Sequence, residues 1–354
     1  MATLFVTSPE TFSGKSAMCI GLGKRFLQDG LRVGYMKPVS LNARRTCGVC
    51  VDEDTEFIRQ TLGLDAPLED LSPICLDASD VEDVLRGGHN NFAQRLQRSF
   101  ESVAAGKDIV ILEGGSSLTE GSILGLPTTQ VSELLGAREL VIVKYNTVSV
   151  VDDILGAKAA LRTSMLGAVI NAVPRPKMDF VQNTIVPFLQ ARGIKVYAVL
   201  PQERILLSIS VRELAQVLDG EVLCCGEQID ELVENLMVGA MSVDSALSYF
   251  RRKPNKAVIT GGDRPDIQLA ALETSTRCLI LTGNVRPSPI IVGRAEEVGV
   301  PIILVHKDTL TTVEIIQQFF GKTRFHQGKK IQRFVKLLEA HFDFAALYAD
   351  LGIK

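Results

Sequence analysis

The amino-acid sequence predicts an α/β fold: a mostly parallel sheet covered by helices on both faces, followed by a smaller α/β unit. Three observations carry this. Short apolar strand candidates alternate with helix-length segments over residues 1–200. The first strand runs into Ser13-Gly14-Lys15-Ser16 at the mouth of a helix. The alternation then breaks after Pro201 and resumes at Lys256. Strands alternating with helices point to parallel pairing, because each crossover returns the chain to the same edge.

The strand candidates of the first part are Leu4–Thr7, Arg32–Met36, Ile109–Glu113, Leu140–Lys144, Ala168–Asn171 and Val196–Leu200. In such sheets ligands bind beyond the carboxyl ends of the strands, which is where Gly14-Lys15-Ser16 would lie. After Pro201, Glu203–Val217 and Gln228–Phe250 are rich in helix formers, so helices are expected there. Strands follow at Lys256–Thr260, Arg277–Thr282 and Val300–Val305, with a helix between each pair. Ile331, Phe334, Val335, Leu337, Leu338 and Phe342 are spaced for one face of a terminal helix. The expected division is therefore 1–204, 205–325 and a C-terminal helix over 326–354.

With 354 residues and 46% apolar content, the chain is long enough for two full cores. A formal net charge of −3 gives no electrostatic case for nucleic acid or anionic lipid as a partner. No apolar run approaches a bilayer span and no secretory leader pattern opens the chain, so a cytoplasmic protein is expected. Seven cysteines, an odd number scattered through the chain, fit reduced thiols better than a disulfide framework. For Cys47-Gly-Val-Cys50 a plain thiol pair, a redox couple and half of a metal site all stay open. No second such pair occurs, and His89, His306, His326 and His341 stand apart without ligand spacing.

The chemistry concentrates around the first loop. Gly14 lets backbone N–H groups close on phosphate oxygens, the Lys15 ammonium reaches the β and γ phosphates, and the Ser16 hydroxyl can ligate Mg²⁺. The helix over about 17–27 adds its positive N-terminal end. The usual leading glycine is missing: Pro9 stands five residues before Gly14, with Ser8 beside it. The loop must therefore curve without it, and must keep the Phe12 ring out of the space an anion needs. Asp108-Ile-Val-Ile-Leu-Glu113 is an apolar strand ending in a carboxylate, the arrangement that sets an acid next to Mg²⁺. Another strand ends in Lys37, with Asp52-Glu53-Asp54 after a polar loop. In the second part, Gly261-Gly262-Asp263-Arg264 joins a strand to a helix. It is either an anion pocket of free N–H groups beside a guanidinium, or a tight turn in which Asp266 caps the helix and Arg264 pairs with a neighbouring acid.

In this order the motifs resemble a known family. Phe5-Val-Thr-Ser-Pro-Glu-Thr-Phe-Ser-Gly-Lys-Ser16 looks like the phosphate loop of dethiobiotin synthetase. Tyr35-Met-Lys37-Pro38-Val looks like its second-strand lysine motif, Glu113-Gly-Gly like its acidic motif, and Leu166-Gly-Ala-Val-Ile-Asn171 like the strand whose asparagine reads the base. The fuller likeness is to the N-terminal region of long bacterial phosphotransacetylases, where such a domain precedes a DRTGG domain. Asp52-Glu-Asp-Thr-Glu-Phe-Ile-Arg59, Val238-Gly-Ala-Met-Ser242 and Lys256-Ala-Val-Ile-Thr-Gly-Gly-Asp-Arg-Pro-Asp-Ile267 carry it, to about Gly321.

The resemblance implies a P-loop NTPase-like domain binding ATP and Mg²⁺. Thr11, Ser13, Gly14, Lys15 and Ser16 would hold the nucleotide, Asn171 the base, and Ser16, Asp54 and Glu113 the metal. Lys15 and Lys37 would face the reacting group, and Gly261, Gly262, Asp263 and Arg264 would form a regulatory anion site. It further implies self-association, a metabolic enzyme or other protein as partner, and a chain holding the nucleotide-binding and regulatory portion without the acetyl-transferring domain. Three readings stay open: a regulatory ATP-binding protein, an ATP-dependent carboxylate-activating ligase similar to dethiobiotin synthetase or the cobyrinate amidases, and a scaffold with a degenerate loop. Whether ATP is hydrolysed is not fixed by any of these motifs.

Overall fold

The computed structural model describes residues 1–41, 44–46, 49–87, 91–319, 325 and 327–353, with the backbone alone at 44–46 and 49–51. Cys47, His89, His326 and the Cys50 side chain lie outside the described residues. The chain divides into two compact units, Met1–Gln202 with Phe325–Lys354, and Glu203–Arg324.

In the first unit six strands, β1 (Ala2–Thr7), β2 (Val33–Met36), β3 (Ile109–Glu113), β4 (Arg138–Lys144), β5 (Met165–Val173) and β6 (Lys195–Pro201), form one sheet in the order β6-β5-β4-β1-β3-β2. Every pairing is parallel. The runs Leu4-Phe5-Val6, Ile109–Leu112 and Leu140–Val143 are buried throughout, as strands covered on both faces require. The chain leaves β1 for β2 on one side, returns through β3, and places β4 on the other side of β1. This reversal opens a crevice at the carboxyl end of β1. Register sets Val6 opposite Glu113 and Lys144 opposite Asn171, so the ends of β1, β3, β4 and β5 meet on one edge.

The helix α1 (Lys15–Gln28) starts at that edge. The terminal segment is two helices rather than the single one expected, Gly328–His341 and Phe344–Leu351. The break falls where Phe342 stacks on Tyr197, with ring centroids 5.9 Å apart, and Asp343 caps the second helix by accepting from the Ala346 N–H. The first of these helices lies close along α1: a Cβ on Gly21 would sit 2.3 Å from Leu338 Cδ1.

The second unit holds β7 (Glu221–Cys224), β8 (Asn235–Val238), β9 (Lys256–Gly261), β10 (Thr276–Thr282) and β11 (Ile302–Leu304), in the order β7-β11-β10-β9-β8. β8 through β11 run parallel and β7 is antiparallel to β11. Two helical expectations are corrected here. Within 228–250 the α-helix is Val243–Phe250, while Asn235–Val238 pairs with Lys256–Ile259 as an edge strand. Within 203–217 a short strand, Ile209–Ser210, interrupts, and Ser210 and Glu213 form a reciprocal cap for the helix Val211–Leu218. Cross-strand pairing overrides local helix preference in both places. Among the described residues, no helix is long and apolar enough to cross a membrane.

Candidate functional site

Gly14 adopts φ 103°, a left-handed conformation, and its Cα lies so near Asn171 that a Cβ would fall 2.6 Å from Asn171 Nδ2. The Asn171 amide donates to the Ser13 carbonyl at 2.8 Å, and its own carbonyl accepts the Ala172 N–H at 2.8 Å. Asn171, expected against a base, thus holds the loop from β5. Glu10 ties the other side, its carboxylate accepting the Lys144 N–H at 2.8 Å. The curve is therefore anchored to β4 and β5 without a leading glycine. Phe12, at φ 54°, is 57% exposed, so the residue does not fill the loop. Thr11 is exposed, and Ser13 is buried with a hydroxyl that has no partner.

Lys15 is buried and its ammonium donates to the Glu10 carbonyl at 3.0 Å. Burial lowers its pKa below the ordinary lysine value, against the pull of Glu113. The first turn of α1 carries no acidic residue and its N-cap offers no side chain, so these N–H groups are not neutralised by a neighbouring acid. The Ser16 hydroxyl donates to Glu113 Oε1 at 2.7 Å, and the Tyr35 phenol donates to Glu113 Oε2 at 2.8 Å. Burial raises the Glu113 pKa above the usual carboxylate range, opposed by Lys37.

Lys37, expected to face the reacting group, is brought beside this cluster with two carboxylates at its ammonium. Its ammonium lies 2.6 Å from Asp52 and 3.9 Å from Asp54. Asp52 also accepts from the Ser40 hydroxyl at 2.7 Å and from the Thr55 N–H at 2.8 Å, capping the helix Glu53–Leu62. Burial works against the charges of this pair, and their mutual attraction prevails: the Lys37 pKa rises and that of Asp52 falls. Asp52 and Tyr35 have no role in the motifs themselves, yet they hold Lys37 and Glu113. The Asp-x-x-Thr spacing signals the cap, whereas nothing in a lone strand tyrosine signals a carboxylate two positions further along the neighbouring strand.

Ser16, Asp54 and Glu113 offer only oxygen donors, a set that suits Mg²⁺. Among the described residues no group of three or more His, Cys, Asp and Glu is placed to hold a metal by itself. A cation here would need phosphate oxygens and water to complete its shell. Beside Glu113 a cleft lined by Phe5, Pro38, Val39, Gly114, Glu120 and Thr128 continues the crevice.

The second glycine-bearing turn is arranged differently. Arg264 donates to both Asp266 oxygens, at 3.1 and 3.0 Å, and to the Met241 carbonyl at 3.1 Å. Asp266 pairs with the guanidinium and does not cap the helix Pro265–Leu272. A Cβ on Gly262 would lie 1.8 Å from the Val285 carbonyl oxygen, so the 283–288 turn closes over the first glycines. Among the described residues, Cys19, Cys75, Cys224, Cys225 and Cys278 form no disulfide.

Residues 213–319 match the DRTGG domain, and residues 2–210 match the AAA domain family. A phosphate acetyltransferase of Nitratidesulfovibrio vulgaris is 25% identical over 378 aligned positions, covering 98% of this chain and 51% of that protein. An ATP-dependent dethiobiotin synthetase of Caldicellulosiruptor saccharolyticus is 26% identical over 121 positions, covering 33% of this chain and 49% of that protein. The chain spans about half the length of these relatives. Among solved structures, the CBS and DRTGG domains of the regulatory region of Clostridium perfringens pyrophosphatase, complexed with the activator diadenosine tetraphosphate, align at 18% identity. That match has a TM-score of 0.30 and covers 43% of this chain and 74% of that one. Cell division protein FtsY of Thermotoga maritima aligns at 14% identity and a TM-score of 0.39, covering 57% of this chain and 62% of that one. With a P-loop NTPase-like parallel sheet matched over more than half its length, the chain belongs to the AAA domain family, in a dethiobiotin-synthetase-like form followed by a DRTGG domain.

Proposed function

We propose that the chain is a cytoplasmic regulatory protein whose first unit binds ATP with Mg²⁺ and whose DRTGG domain responds to that binding. The observation that carries this is the convergence of a buried Lys15, held only by a backbone carbonyl, with the Ser16 hydroxyl on Glu113 at 2.7 Å. A triphosphate would replace the Glu10 carbonyl as the partner of Lys15. Ser16, Asp54 and Glu113 would hold Mg²⁺, which would neutralise charge on the phosphates. Thr11, Ser13 and Gly14 would line the phosphates, with Asn171 fixing the loop and facing the base side. The chain would report nucleotide state to a second copy or to a metabolic enzyme.

Lys37 weighs against the ligase reading. A lysine that stabilises a reacting phosphoryl group needs its charge available, and this one is committed to Asp52 at 2.6 Å. An anion at Gly261, Gly262, Asp263 and Arg264 would have to displace Asp266 from the guanidinium first. Coupling between the units requires that nucleotide favour one state of the second unit over another.

Isothermal calorimetry with ATP and Mg²⁺ tests the site. Binding by the wild type and a loss of about 100-fold in affinity or more for Lys15→Ala are expected, the cost of removing one member of a buried charged contact. Absence of wild-type binding leaves the scaffold reading. Hydrogen exchange over residues 213–319, with and without MgATP, then tests the regulatory half: unchanged protection would remove it. Phosphate release above about one per second with bicarbonate and candidate amines would favour the ligase.

A further inference from the structure

Glu113 is 2% exposed, and a buried carboxylate needs donors for both oxygens. It has one on each side: the Ser16 hydroxyl at 2.7 Å on Oε1 and the Tyr35 phenol at 2.8 Å on Oε2. Tyr35 is fully buried in β2, where it stands opposite Ile111 of β3, two residues before Glu113. Its single phenolic proton is spent on this carboxylate, so the plane of Glu113 is fixed from the side away from the loop.

We propose that Tyr35 is a positioning residue of the metal–phosphate site: by holding Glu113 Oε2 it keeps Oε1 as the acceptor of the Ser16 proton, which turns the Ser16 lone pairs toward the cation. Glu113 then acts on Mg²⁺ through Ser16 in addition to the oxygen it would itself offer the cation. Without the phenol, Oε2 loses its hydroxyl donor, and the Cys19 thiol, a weak donor, is the neighbour that remains. The carboxylate would be free to rotate, and the Ser16 hydroxyl would lose its fixed direction. This assignment rests on the ATP reading above and names the residue that tunes its metal step.

The test is ATP binding by the full chain in a Mg²⁺ titration and, separately, in EDTA. Tyr35→Phe keeps the ring and removes one hydroxyl. Removing such an outer partner is expected to raise the half-saturating Mg²⁺ about tenfold or more, while metal-free ATP affinity stays within about twofold. In a Ser16→Ala background the same change is expected to add nothing. Equal loss with and without Mg²⁺, no loss in either, or an additive loss in the Ser16→Ala background overturns the relay. Should Tyr35→Phe fail to fold, Tyr35→Leu, which likewise removes the hydroxyl from this buried position, takes its place with the same expected split and the same overturning results. If the wild type binds no ATP in either buffer, the nucleotide reading itself fails and this assignment goes with it.

Discussion

Both units send a parallel strand into a glycine-bearing turn and then a helix, yet the turn after β1 and the turn after β9 treat their basic side chains in opposite ways. Lys15 is buried against a backbone carbonyl, with no acid in the first turn of its helix. Arg264 is half exposed and neutralised by Asp266, an acid of its own first turn. Gly14 keeps the first loop open against the Asn171 amide, while Gly262 lets the Val285 backbone close the second. On the proposed function, what leaves the first turn available to an anion is that its cation is not already paired and that no neighbouring turn fills the space. Two of the buried lysines show the opposite division. Lys15 has Glu113 nearby, but Lys256, fully buried at the start of β9, has no hydrogen-bond partner and lies 6.0 Å from the Phe250 ring.

The largest effect is expected at Gly262. A methyl group there would lie 1.8 Å from a carbonyl oxygen, so one of two packed turns must move, at about 3 kcal/mol or more. Scanning calorimetry of Gly262→Ala should show a lowered transition, with MgATP affinity at Lys15 unchanged. A melt superimposable on wild type would break the claim that the second turn is closed.

Lys256→Met comes next. Burial pushes the Lys256 pKa down to about 8, from an unfolded value near 10.4. Below pH 8 both states carry the proton, and the folded state bears the full cost of a buried charge. Between about 8 and 10.4 the unfolded chain still binds the proton while the folded one does not, so stability rises with pH across that window. Replacing the ammonium by an apolar thioether should stabilise the fold by about 2–3 kcal/mol at pH 7 and abolish the rise. A wild-type melting temperature that is flat or falling from pH 8 to 10 would show that Lys256 has found a partner.

The difference in legibility between the regions has the same physical root. All six strands of the first sheet are visible in the sequence because burial on both faces writes them as continuous apolar runs, as in Ile109–Leu112. Asn235–Val238 reads as helix because its strand identity comes from the Lys256–Ile259 ladder, a long-range pairing that leaves no local mark. At the site, Lys15, Ser16 and Glu113 are found from order along the chain, and Gly14 from its conformational demand. That Lys37 pairs with Asp52, and Glu113 with Tyr35, follows from side-chain reach across neighbouring elements, which spacing alone does not encode. For Arg264 the motif was compatible with both pocket and turn, and the pairing with Asp266 two residues away is the local detail that separates them.

The smallest expected effect is also the most direct probe of the contrast. In a Lys15→Ala background, which silences the first site, inorganic pyrophosphate serves as the anion. The turn with Asp266 in place should bind it weakly at most, because the guanidinium already has its counter-charge. Asp266→Ala frees Arg264 and should raise pyrophosphate affinity severalfold at low salt. The gain should fade as ionic strength shortens the screening length to about 8 Å at 0.15 M, and disappear in Asp266→Ala/Arg264→Ala. A gain that survives loss of Arg264 would place the anion elsewhere, and no gain at all would show that closure by Val285, rather than neutralisation by Asp266, is what separates the second turn from the first.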